Sequence, residues 1–324
     1  MESQKLKEQV ELIRQVFGYV FQFKDKVFVF KIDSEIILSP LFTILVKDLV
    51  LLHRMGIKII LVLGAKTRID EILTTYKIAW QTVDGIRISS IASMPFIRMA
   101  AFDISTRVMT LLSENKEDAI IGNWVRARGI GIRKGVDFQS AGMVDKLKTD
   151  IIKDVLDSGL IPIFPNIGWN AVGKPYNISS DELAYTLSME LKAEKLFFIV
   201  NNYQQIDSDH FKIPAHFELP EDKIISQFRA FEAEEFTAAN ISDMYTPFLQ
   251  LISYAYRACR TGVKRVHIVD GSVEGVILKE IFSSRGSGIM IYADEHAHIR
   301  PMQYEDIPEV LRIVQPLVEK EILF

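Results

Sequence analysis

Six short apolar runs, at residues 27–32, 57–63, 161–165, 196–200, 266–270 and 289–292, recur along this chain with helix-period segments between most of them. The runs lack polar/apolar alternation, so both faces of each strand must be buried. Strands buried on both faces need a layer on either side. That requirement selects an α/β architecture, an αβα sandwich around a mostly parallel central sheet, over a helical bundle or a one-sided antiparallel sheet. Helices are expected over residues 94–113, 180–192, 246–261 and 273–282. Ser39-Pro40 is expected to cap another that runs to Met55 and stops at Gly56. Residues 201–242 are acidic and irregular and read as an excursion from the sheet.

Several function classes fall away on composition. Net charge is −4 with no basic block; phosphate backbones need clustered Lys and Arg, so nucleic acid is not an expected partner. A single cysteine, Cys259, cannot form an internal disulfide and fits a reducing, cytoplasmic compartment. No apolar run is long enough to span a bilayer. None of the six histidines has metal-ligand spacing, since His296-x-His298 lacks partners. There is no Gly-x-Ser-x-Gly elbow. No metal or cofactor site is expected.

The two ends of the chain carry their own signals. Leu6, Val10, Ile13, Phe17 and Val20 alternate four- and three-residue steps, so residues 1–24 read as a helix with one narrow apolar seam. That seam either packs on its own domain or pairs with a neighbouring subunit in a homo-oligomer. Near the other end, Asp306 and Pro308 open a helix whose apolar positions Ile307, Val310, Leu311, Val314 and Leu317 cannot be buried by one strand and one helix. The expected organisation is a helix over 1–24, a main domain over 25–295, and a linker plus the start of a second domain over 296–324.

Ligands of open parallel sheets bind beyond the carboxyl ends of strands. Two such ends are Lys31-Ile32-Asp33-Ser34 and Gly64-Ala65-Lys66-Thr67-Arg68. A phosphate cradle needs glycines there, because backbone N–H groups must reach the anion without Cβ atoms in the way. Only Gly64 is present, and Asp33 would repel phosphate. Gly85-Ile86-Arg87 places a guanidinium after a tight turn, suited to a carboxylate. Gly122-Asn123-Trp124 follows a strand over 119–121. Asn177-Ile178-Ser179-Ser180-Asp181 leads into a helix with Ser180 as the candidate N-cap. Taken singly, turn or capping duty accounts for each of these.

Taken together they resemble a known family. The matching stretches are Leu51-Leu52-His53-Arg54-Met55-Gly56-Ile57, Gly64-Ala65-Lys66-Thr67-Arg68-Ile69-Asp70, Gly122-Asn123-Trp124 with Ala127-Arg128, Asn177-Ile178 with Lys192-Ala193-Glu194-Lys195-Leu196, and Ala258-Cys259-Arg260-Thr261-Gly262-Val263. In this order they resemble the amino-acid kinase family, and within it the kinase-like domain of N-acetylglutamate synthases. The resemblance matches Lys31 and Asp181 to kinase catalytic positions and Arg87 to the arginine that holds the substrate carboxylate; Gly64 and Asn177 belong to the same site. It also implies that this kinase site is a relic. Asp33, Ser34, Ala65 and Lys66 stand where the active relatives carry glycines, and no lysine occurs between Lys223 and Lys264 to neutralise a transferring phosphoryl group.

What the resemblance implies in place of catalysis is an effector site for L-arginine. Tyr19 and Phe23 match the aromatic pair that closes it, Lys195 a lysine near the effector, Glu280 the acid facing the guanidinium, and Gly286 and Gly288 a loop that approaches the ligand. Ile289 stands where relatives usually have threonine. The segment from Ile299 is similar to the opening of an acetyltransferase module, whose substrates would be acetyl-CoA and L-glutamate at the first step of arginine biosynthesis. The acetyl-CoA loop of such modules, Gln-x-x-Gly-x-Gly or Ala, is not found, so this chain alone is expected to be inactive in acetyl transfer. Three readings stand at this point: an arginine-sensing regulatory domain, a working N-acetylglutamate kinase, and a non-catalytic oligomerisation module.

Overall fold

The six apolar runs, joined by two shorter strands, assemble into one eight-stranded sheet. Its strands are β1 (Val27–Ile32), β2 (Lys58–Leu63), β3 (Ala119–Ile121), β4 (Ile161–Phe164), β5 (Lys195–Val200), β6 (Gln227–Arg229), β7 (Arg265–Asp270) and β8 (Ile289–Tyr292). They lie in the order β6-β8-β7-β5-β1-β2-β4-β3. Every neighbouring pair is parallel except β7 with β8. The computed structural model describes residues 10, 14, 16–217, 220, 223–240, 246–282 and 286–293. The chain divides into two compact units at residue 294, and all described residues lie in the first.

A pleated strand sends successive side chains to opposite faces, and β1 uses both. Val29 joins a core with Ile60, Val62, Leu196 and Phe198, covered by the helices Ser180–Glu190, Ala230–Ala239 and Pro247–Arg260. Phe28, Phe30 and Ile32 join a second core with Ile59, Leu61, Leu63 and Phe197, covered by the helices Phe42–Arg54, Lys66–Thr75, Met94–Glu114 and Val276–Phe282. Phe30 stacks on Phe197 with centroids 4.7 Å apart. Each fully buried ring of this kind contributes about 2–3 kcal/mol of burial energy. The αβα sandwich is thus built from the two faces of one sheet.

Local chemistry moves several expected boundaries. The helix reaching toward Met55 begins at Phe42, because residues Ser34–Leu38 form a short helix of their own. Ser39 closes that short helix, its Oγ donating to the Ile36 carbonyl at 2.8 Å, instead of opening the next one. The N-cap before Asp181 is Ser179, whose Oγ accepts from the Glu182 amide at 3.3 Å, and Ser180 is the first helical residue. The helix that carries Glu280 starts at Val276, not at residue 273, since Gly275 takes φ +68° just before it. Residues 201–242 are more regular than their composition suggests and contain β6 and the Ala230–Ala239 helix. A second sheet, ordered Pro175–Asn177, Ile167–Trp169, Val125–Gly129, Gly142–Leu147, escapes sequence reading because its strands are short and lack a continuous apolar run.

Residues 16–23 are helical. Phe23 turns into the core, whereas Val10, Phe17 and Phe21 are exposed. Leu6, Ile13 and everything expected of residues 296–324 lie outside the described residues. Among the described residues no helix is long and apolar enough to cross a membrane, and no cluster of His, Cys, Asp and Glu could hold a metal ion.

Candidate functional sites

The carboxyl end of β1 delivers Lys31, and the chain itself supplies its counter-ions. The ammonium lies 2.5 Å from Asp33 Oδ1 and 2.6 Å from Asp181 Oδ1 while only 4% exposed. Burial alone would lower its pKa, but the two carboxylates outweigh burial and hold it well above the ordinary lysine range. Asp33 also accepts from the Asn201 amide at 3.2 Å. Across the gap, the Ser34 hydroxyl accepts from the Thr67 amide at 3.0 Å, at the start of the Lys66–Thr75 helix. Gly64 keeps the two strand ends close; a Cβ there would sit 3.2 Å from the Ile32 carbonyl oxygen. Two of the ammonium's three donors and the Thr67 amide are therefore engaged by the chain's own side chains.

Arg87 is placed in the same manner. Its Nη2 donates to Asp70, and its guanidinium lies over Trp80 at 5.1 Å. Nearby, Asn166 Nδ2 donates to Asn177 Oδ1 at 2.9 Å, and Asn177 Nδ2 donates to Ser89 Oγ at 3.0 Å. Among the described residues, Arg87 Nη1 and Asn166 Oδ1 are buried without hydrogen-bond partners. The structure thus groups Lys31 with Asp181 and links Asn177 to the strand of Arg87 through Ser89, which donates weakly to the Arg87 carbonyl at 3.4 Å.

The second site lies toward the amino ends of the central strands, where Lys195 opens β5 opposite Phe28. Its ammonium stands 4.8 Å from the Phe23 ring and 5.8 Å from that of Phe28. It is 3% exposed, and among the described residues no carboxylate lies within ion-pair distance of it. Burial, with help from the Arg265 charge, pulls its pKa down to about 8. Tyr19 stacks on Phe23 at 6.1 Å and meets Phe282 edge-on at 6.0 Å, so helix 16–23 walls this corner.

Glu280 is buried beside it. Its Oε1 pairs with His267 Nδ1 at 2.7 Å, and its Oε2 accepts from the amides of Ser287 at 2.5 Å and Gly288 at 3.0 Å. Burial opposes the carboxylate, yet these donors prevail and hold its pKa below the usual glutamate range. His267 stacks on Phe197 at 4.6 Å, and burial drives its pKa down to about 4, so the ring is neutral at pH 7. With Nδ1–H directed at Glu280, Nε2 is a bare acceptor, and it is buried without a partner. Gly286 can adopt its φ of +66° and pass the carboxylate because it has no Cβ; one would lie 2.7 Å from Glu280 Oε2.

Tyr19, Phe23, Lys195, Glu280, Gly286 and Gly288 therefore come together. Glu280 is not an open carboxylate, however: both of its oxygens are engaged by its own chain. Sequence reading missed His267, Phe282 and Ser287 here, and Asp70, Trp80 and Asn166 at the other site. His267 had left a signal, a lone polar residue inside the apolar run of β7. Ser287 and Asn166 left none, since polar residues in loops are ordinary.

The amino acid kinase family matches residues 26–270 of this chain. An amino-acid acetyltransferase of Pasteurella multocida is 30% identical over 321 residues, covering 98% of this chain and 71% of the relative. The amino-acid acetyltransferase of Escherichia coli is 28% identical over 334 residues, covering 100% of this chain and 73% of that one. Among solved structures, N-acetylglutamate synthase from Neisseria gonorrhoeae in complex with coenzyme A and L-arginine superposes with a TM-score of 0.80 at 25% identity, over 95% of this chain and 70% of the other. Carbamate kinase from Giardia lamblia, at 13% identity and a TM-score of 0.58, shares the fold alone. The chain belongs to the amino acid kinase family and, within it, to the amino-acid acetyltransferases of the N-acetylglutamate synthase type.

Proposed function

We propose that this region is an arginine-sensing domain without phosphoryl-transfer activity, and that it regulates the acetylation of L-glutamate by acetyl-CoA in the cytoplasm. The Lys195 corner carries the reading. It holds a buried ammonium with no carboxylate bonded to it, a buried carboxylate, and a bare imidazole acceptor, all walled by aromatic rings. An α-amino acid with a cationic end is the chemical complement of that set: its carboxylate answers Lys195 and its cation the Glu280 side. The complex of the Neisseria gonorrhoeae relative with L-arginine supports the choice of amino acid. The Lys31 corner supports the loss of kinase chemistry, because Asp33 and Ser34 take up the groups a phosphate would need. Phe17 and Phe21, 59% and 77% exposed on helix 16–23, support assembly of a homo-oligomer through that helix.

Calorimetry with L-arginine tests the reading and should give saturable binding. ATP with N-acetylglutamate should give no phosphorylated product. An arginine titration without heat or thermal shift would overturn the sensing role, and sustained kinase turnover would overturn the other half. Replacing Phe17 and Phe21 by Asp should reduce the particle mass in sedimentation.

A further inference from the structure

We infer that Ser287 is a specificity-determining residue of this effector site: its hydroxyl, together with Nε2 of His267, reads the N–H groups of a planar cationic ligand end such as a guanidinium. The inference rests on the arginine-binding reading above and changes which atoms do the recognising. Glu280 already accepts three hydrogen bonds, one from His267 and two from the loop amides. A carboxylate offers about four acceptor positions. A forked guanidinium therefore cannot seat both arms on Glu280 unless His267 or a loop amide gives up its bond.

The loop runs close to Glu280 and to β7. Gly286 passes Glu280 at a distance that excludes a Cβ, and a Cβ on Gly288 would lie 2.3 Å from the Ile268 carbonyl oxygen. Among the described residues, two buried hydrogen-bonding atoms remain without partners on the residues bonded to Glu280: His267 Nε2 and Ser287 Oγ. His267 bonds one oxygen of Glu280 through Nδ1 and Ser287 the other through its backbone amide, so both unpartnered atoms belong to residues anchored on that carboxylate. A buried hydroxyl left without a partner costs about 1–3 kcal/mol, and alanine would avoid that cost. Residue 289 offers no substitute. Ile289 is 1% exposed and packs in the apolar core.

The test is calorimetry of L-arginine with the full chain and with Ser287→Ala and Ser287→Thr, alongside thermal melts without ligand. Ser287→Ala should bind arginine about tenfold more weakly, the order of one hydrogen bond to a charged group. Its unliganded melting temperature should be equal to or above that of the parent. Ser287→Thr, which keeps the hydroxyl, should restore affinity to within about threefold. Undiminished affinity in Ser287→Ala, or an unliganded melting temperature that falls, overturns this inference alone. Failure of the unchanged chain to bind arginine overturns the effector reading and this inference with it.

Discussion

Lys31 and Lys195 sit on neighbouring strands and are equally buried, at 4% and 3% exposure, yet their chemistry has opposite signs. Lys31 has two carboxylates at 2.5 and 2.6 Å, and its pKa rises. Lys195 has aromatic faces and a nearby Arg265 charge, and its pKa falls to about 8. Burial is common to both; the partners decide the sign. The first lysine has its charge balanced by its own chain, with two of its three N–H donors engaged. The second is a charge held out of water without a bonded counter-ion among the described residues, the kind of cost a protein retains where a ligand removes it. Within one sheet, a buried lysine paired by carboxylates of its own chain can be told from one that lies against aromatic rings.

The comparison breaks if the two lysines respond alike to the same substitution. Lys31→Met leaves Asp33 and Asp181 facing each other with no cation between them. Removing one partner of a buried ion pair costs about 3–5 kcal/mol, so a loss of that order is expected in urea denaturation. Lys195→Met removes an unpaired buried charge and fills the same space with apolar atoms. Its stability should stay within about 1 kcal/mol of the parent, or rise, while arginine binding falls by about 2–3 kcal/mol for the lost charge-assisted bond. Equal stability losses would show that Lys195 has a structural counter-ion after all.

Proton linkage sharpens the same contrast. The pKa of Lys195 in the unliganded folded chain is about 8, below the 10.5 of an unperturbed lysine. Between those values the unfolded chain binds more protons, so stability rises with pH across that window, and the burial penalty is complete below pH 8. A ligand carboxylate pairs with the charged form only. Arginine affinity should therefore be flat up to about pH 7.5 and decline above 8, by up to tenfold per pH unit, with proton uptake on binding detectable in buffers of different ionisation enthalpy. Lys195→Met should abolish that slope. A slope that persists in the variant would assign it to another group.

How much of this could be read from residues alone follows from the same physics. Continuous apolar runs forced strands buried on two faces, and that was enough for the αβα layers and the mostly parallel sheet. The glycine-poor strand ends told against a phosphate cradle, and the closed corner at Asp33, Ser34 and Thr67 is consistent with that argument. Charge partners were harder. Nothing in the spacing of Asp70 and Arg87 announces their pairing, since seventeen positions and a two-stranded turn separate them. The rule that ligands sit at carboxyl ends of strands directs attention away from Lys195, which begins its strand. Glu280 was recognisable only by resemblance. Its occupancy by His267 and two loop amides depends on the antiparallel return of β8 along β7, a register that apolar patterning does not encode.

The smallest expected effect concerns a third ionisable group under the same rule with the charge inverted. Asp48, on the Phe42–Arg54 helix, lines a narrow cleft with Leu45, Gly271, Glu274 and Gly275, next to the start of the helix that carries Glu280. It is half-buried, and the one charge that acts on it there is Glu274, of like sign, so burial and repulsion together push its pKa up to about 6. A carboxylate raised on folding binds more protons in the folded chain between about pH 4 and 6. Stability is then lost as pH rises through that window, and the penalty is complete above pH 6. Asp48→Asn removes the titration. Allowing for solvent screening of a half-exposed group, it should raise stability by about 1 kcal/mol at pH 7 and by nothing near pH 4. A gain that is the same at both pH values would mean that packing, and not charge, governs the cleft. A gain confined to neutral pH would place Asp48 with Lys195, as a charge removed from water whose shift is dominated by burial and a neighbour of like sign.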